Sequence, residues 1–160
     1  MMPFSKTILH RQLMLYAGFV IVVTMLVFSG RAVSEHQAGL VLSLNGHALK
    51  VEIANSDATR MQGLAHRDAL PEDCGMLFIL PEPAVYSMWM RHTHIALSVA
   101  FLDEQGVIIN IEDMEPDTLV RHSAARPARF ALEVNRGWFA AHGVKAGLRV
   151  EGIEHAPPAG

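Results

Sequence analysis

Between Leu40 and Ile153 the chain keeps a rhythm that leaves little room for long helices. Apolar runs of strand length alternate with turn signals about every 8–12 residues, the spacing of an all-β domain. Leu40 to Leu44, Asn45-Gly46 and Ala48 to Ile53 read as a hairpin, because Asn-Gly supplies the positive φ angles of a two-residue turn. Further strands are expected over Met76 to Leu80, Val85 to Arg91, Ala96 to Leu102, Val107 to Ile111, Arg129 to Val134 and Leu148 to Ile153. Pro81 and Pro83 are expected to end the first of these. Gly106 suits a left-handed position in the connection Asp103-Glu104-Gln105-Gly106. Ser56 can cap a short helix over Asp57 to Leu64, with Gly63 near its end. Asn135 can cap a second through His142, with Gly143 just past it. Eight short strands and two short helices predict a mainly antiparallel β sandwich or barrel, its ends plugged by helices.

The first 32 residues follow other rules. Lys6, His10 and Arg11 precede an uncharged apolar run from Leu13 to Phe28, then Ser29-Gly30-Arg31-Ala32. Basic, apolar and small-residue regions in that order predict a secretory signal, with cleavage after Ala32. The alternative is a retained anchor, since 13–28 falls short of the ~20 residues a span usually takes but could tilt. Both readings export the rest of the chain to the periplasm or cell envelope, with inner-membrane anchoring through 13–28 if uncleaved. Residues 33–39 read as a linker, 40–153 as one β-rich domain, and 154–160 as a disordered tail.

Beyond Ala32 there remain 10 basic residues against 16 acidic, a net charge of −6. Such a domain, with no basic stripe, is poorly suited to nucleic acid. Cys74 is the only cysteine. It cannot form an internal disulfide, and its acidic surroundings, Glu72-Asp73, disfavour a thiolate.

Several stretches share a family pattern. They are Leu49-Lys50-Val51-Glu52-Ile53-Ala54, Arg60-Met61-Gln62-Gly63-Leu64, Gly75-Met76-Leu77-Phe78, Trp89-Met90-Arg91-His92-Thr93, Phe101-Leu102-Asp103, Leu132-Glu133-Val134-Asn135-Arg136-Gly137-Trp138 and Gly143-Val144-Lys145-Ala146-Gly147. In this order they resemble the bacterial and archaeal domain of unknown function number 192, over about residues 40 to 153. The resemblance implies a mainly β domain, often exported, with no established activity and no catalytic residues to carry over. Against that pattern, His92 replaces Asn, Ala96 replaces Pro and Ser98 replaces Asp. A loop cysteine pair of some exported members is missing between Asp113 and Pro127.

The candidate site lies around Ser87 to His94. As a strand it would place Met88, Met90, His92 and His94 on one face. Two imidazoles beside two thioethers suit copper(I) as a cofactor. The competing reading makes the methionines core filler. Trp89 and Arg91 would share the other face, and Arg91 could pair with Glu133 as a structural ion pair or the floor of a pocket. Asn135 points the same way from the strand of Glu133. Glu112, Asp113, Glu115 and Asp117 form an acidic loop without calcium-loop spacing.

Three functions fit these residues. The first is a non-enzymatic module that binds an envelope protein or small molecule through Trp89, Arg91, His92, Glu133 and Asn135. The second is a copper-binding module using His92 and His94 with Met88 or Met90. The third is a small hydrolase drawing an acid–base pair from Glu133, His92 and Asp103. No nucleophile elbow, phosphate loop or His-Glu-x-x-His helix supports the third.

Overall fold

A computed structural model describes residues 39–160. The signal or anchor segment and almost all of the linker lie outside these residues. No helix among the described residues is long and apolar enough to cross a membrane.

The strands are β1 (Leu40–Leu44), β2 (His47–Ala54), β3 (Cys74–Ala84), β4 (Ser87–Met88), β5 (Leu97–Leu102), β6 (Ile108–Met114), β7 (His122–Ser123) and β8 (Ala128–Asn135). Six form one sheet in the order β1-β2-β3-β8-β5-β6, and β4 and β7 pair separately. The fold is mainly β, as expected, but the sheet is mixed because β2 and β3 run parallel. A parallel pair needs a crossover, and the segment from Asn55 to Asp73, which holds helix α1 (Asp57–Gln62), provides it. Among the described residues no strand ladder closes the sheet. Instead the segment around Leu148 to Glu151, expected as a strand, makes single bridges from Ser43 to Glu151 and from Val107 to Arg149. It then turns into a short 3₁₀ helix, Ile153–His155.

Each face of the sheet carries its own apolar cluster. Leu77, Ile79, Leu132, Val134 and Trp138 belong to one. Met76, Phe78, Val99, Phe101 and Ala131 belong to the other, with Met114 from the end of β6, and Leu64, Leu70 and Met90 cover it from the loops. Alternation along β8 explains the split, since successive side chains point to opposite faces. Strand β5 is buried at every position, as a central strand covered on both faces should be.

Local chemistry sets the ends of the elements. Ser56 and Thr59 form a reciprocal capping box, and Gly63 stops α1 early at φ +49°. Pro81 and Pro83 do not end β3. They sit in a bulge where the register jumps from Ile79↔Phe130 to Ala84↔Ala128, so residues 80–83 stand opposite Arg129 alone. The expected strand over Val85 to Arg91 shrinks to two residues. The second helix, α2 (Trp138–Ala141), starts at Gly137, whose φ is +81°. Asn135 is therefore not its cap; its amide donates to the carbonyls of Leu70 and Pro71 instead. The tail, expected to be disordered, packs back on the domain. Asn55 Nδ2 donates to Pro158 O at 3.1 Å, Gly160 N donates to Asn55 O at 2.7 Å, and Arg60 reaches Gly160 O.

Candidate functional site

Three loops cover the face of the sheet that holds Glu133. Backbone hydrogen bonds stitch them together: His66 N to His92 O, Met90 N to Thr118 O, and Asp117 N to Thr93 O. The loop carrying Trp89 to His94 is therefore held from both sides. It is not a strand, and His92 turns it with a left-handed φ of +57°. That breaks the alternation expected of a strand. Met90 is fully buried in the core and Met88 half-buried, while His92 and His94 are exposed.

The imidazoles find other neighbours. His92 stacks on His66, with ring centroids 5.4 Å apart and 18° between planes. His94 Nδ1 stands 3.0 Å from the Asp117 carboxylate. That hydrogen bond and the charge of Asp117 raise the pKa of His94. Among the described residues no group of three or more His, Cys, Asp or Glu side chains is arranged to hold a metal ion. His66 was not legible as part of this cluster, because nothing in the Ala65-His66-Arg67 sequence marks it.

Arg91 does not pair with Glu133. Its Nε donates to His92 Nε2 at 3.3 Å, and none of the ion pairs among the described residues includes Glu133. Glu133 lies between Met76 on β3 and Val99 on β5, only 4% exposed. Burial raises its carboxyl from the ordinary 4.5 to about 8, because a low-dielectric setting penalises the charged form. At neutral pH Glu133 is thus chiefly a neutral acid. Asp103, the third member of the hydrolase constellation, belongs to the β5–β6 hairpin. Burial acts upward on its carboxyl, but bonds from Val107 N, Arg126 and Gln105 N hold it below the ordinary value. It is a turn-forming residue held by its own hairpin.

The acidic cluster is tied to neighbouring elements, with Arg136 shared between Asp113 and Glu115. Asp113 accepts from Ser98 Oγ at 2.6 Å, Glu115 pairs with Arg136, and His122 stands 3.8 Å from Glu112. Ser98, at a position where the family pattern has Asp, also accepts from Gly137 N at 3.0 Å and so helps start α2.

What the loops leave outward is apolar and cationic. Trp89 is 49% exposed, Val85 61%, Leu119 66% and Val120 59%. They are carried on two adjoining segments that also form the β4·β7 ladder. The guanidinium of Arg121 lies over the Trp89 ring, 5.4 Å from its centroid. Arg91 and His92, which follow Trp89 in the same loop, are also exposed. The Leu119-Val120 doublet, two apolar residues in an otherwise polar loop, was the readable sign of this surface.

A small mixed-sheet β domain with one loop-covered face is thereby defined. The chain belongs to the DUF192 family, described as an uncharacterised ACR, whose model matches residues 40–152. A solved structure from Sinorhizobium meliloti 1021, of a protein provisionally described as a transcription regulator, is 33% identical. The match covers 72% of this chain and 92% of that one, with a TM-score of 0.67. A protein of unknown function from Novosphingobium aromaticivorans DSM 12444 is 30% identical over 77% of this chain and 91% of its own, with a TM-score of 0.70. No curated protein matches.

Proposed function

We propose that this domain is an exported, non-enzymatic protein-binding module of the cell envelope. Its surface of Val85, Trp89, Leu119 and Val120 takes an acidic partner segment with apolar anchors. The observation that carries the reading is where these residues fall. Of the six large apolar residues most exposed among the described ones, four lie on the two segments joined by β4·β7. Monomeric domains rarely expose grouped apolar residues without a partner to cover them. Trp and Arg are also the residue types that most often anchor interfaces.

Charge selects the partner. Beyond Ala32 the chain is acidic, yet this surface presents Arg91 and Arg121. A local cationic rim on an acidic domain attracts an acidic peptide and repels the rest of its kind. Nucleic acid would call for a broader basic face. Export rests on residues 1–32, whose layout is that of a secretory signal.

The test is to pan a random displayed-peptide library against the 160-residue chain. Enriched peptides should combine Asp or Glu with Leu, Ile or Phe, and Trp89→Ala or Arg91→Glu should abolish their binding. Failure to enrich such peptides, or binding that survives both substitutions, overturns the proposal.

A further inference from the structure

We propose that a second site, on the opposite face of the sheet from Trp89, binds a small apolar carboxylate through Arg129 and Arg149. A pocket of about 280 Å³ lies where the start of β8 meets the docked C-terminal segment. Phe130, Ile153 and Pro157 supply apolar wall. Ile153 belongs to, and Phe130 packs on, the cluster of Leu77 and Leu132, away from the loops that carry Trp89.

Arg129 supplies the reason for a ligand. Its Nη1 is buried without a hydrogen-bond partner, the only side-chain nitrogen or oxygen in that condition among the described residues. A guanidinium cannot shed its charge to relieve this, and a buried donor left unmade costs stability. The β3 bulge puts residues 80–83 opposite this one position, so the ladder is irregular where Arg129 sits. Arg149 lines the same pocket and, like Arg129, makes no ion pair among the described residues. Two guanidinium groups outside any ion pair among the described residues, around a hollow with apolar walls, fit an anion with an apolar body.

The rim narrows the class. Glu104 and Glu154 also border the pocket, and both are exposed. The Glu154 carboxylate lies 3.7 Å from His155 Nε2. Two carboxylates at the mouth penalise a dianion such as phosphate more than a monoanion. The volume falls just under the range of about 300–1,000 Å³ usual for small-molecule sites. A short acyl or aryl acid therefore fits better than a large cofactor.

The experiment titrates the 160-residue chain with octanoate, octanol and inorganic phosphate, followed by ¹H–¹⁵N NMR and calorimetry. Octanoate should shift the amides of Arg129, Phe130 and Ile153 and bind about tenfold or more tightly than octanol, the value of one good charged contact. Arg129→Gln should remove that preference. Because Arg129 is partly buried, Arg149→Glu at an exposed position provides a variant that leaves the core untouched; it should weaken octanoate about tenfold and octanol little. Absence of these shifts at millimolar octanoate, equal binding of octanol, preference for phosphate, or indifference to Arg149→Glu would each overturn the assignment.

Discussion

The side-chain amide of Asn135 donates to Leu70 O at 2.9 Å, joining positions 65 residues apart. A second bond, at 3.0 Å, reaches Pro71 O. These bonds hold the end of β8 to the loop that leads into β3. Asn135→Ala should cost about 1–3 kcal/mol, since two carbonyls lose their donor. Asn135→Asp should cost more, because it sets a carboxylate against the same carbonyls. Urea unfolding of the three proteins checks the order.

Glu133 makes stability depend on pH. Its folded pKa of about 8 exceeds the unfolded value, so the native state holds the proton more tightly. The stabilisation is fully present below about pH 4.5 and is lost as pH rises towards 8, at a limiting slope of about 1.4 kcal/mol per pH unit. Glu133→Gln keeps a neutral group there and should flatten that decline. The variant should approach the parent below about pH 4 and exceed it at pH 8.5. Parallel pH profiles for the two proteins would refute the assignment of a neutral acid.

His94 should titrate above the ordinary imidazole value of 6.5, because its bond to Asp117 favours the charged form. Asp117→Asn should bring the midpoint back down, and added salt should have a similar but weaker effect, since the pair is exposed. The pair favours the folded state below the unfolded pKa, and that contribution disappears as pH rises through the raised folded value. Proton NMR of the His94 ring reads the midpoint directly.

Gly75 lies inside β3 opposite Val134. A Cβ there would stand 2.5 Å from the Glu133 carbonyl oxygen, on a neighbouring backbone that cannot swing aside. Gly75→Ala should therefore destabilise by about 1–3 kcal/mol through overpacking. Gly137→Ala meets no atom within 4 Å but still forces a non-glycine residue to φ +81°, costing about 1 kcal/mol. Thermal melts should rank Gly75→Ala as the more damaging of the two.

Much of the fold was legible because local chemistry and global position agreed. Asn45-Gly46 makes its hairpin, Ser56 caps its helix, and Gly106 and Gly143 take left-handed angles. The errors come where tertiary contacts outweigh local preference. Asn135 has the chemistry of a cap, but two carbonyls brought from residues 70 and 71 compete for its amide. The prolines at 81 and 83 are accommodated by a bulge, which a single strand read in isolation does not reveal. The β2–β3 pair is parallel because α1 carries the chain across, a relation between elements with no local mark. At the candidate site the sequence marks Trp89, Arg91 and His92 as binding candidates, whereas the exposure of Trp89 and the stack of His92 on His66 depend on loops distant in sequence. Pairing Arg91 with Glu133 presumed a strand that His92 interrupts.

The bridges made by Leu148 to Glu151 have a consequence for the order of events at the ribosome. Residues 148–151 bond both to Ser43 in β1, at one edge of the sheet, and to Gly106 and Ile108 beside the other. Synthesis proceeds at only about 5–20 residues per second, so the β1–β2 hairpin must wait several seconds for its last neighbour to be made. Until residues 148–151 are made and in place, the domain keeps two unsatisfied rims that a chaperone could recognise.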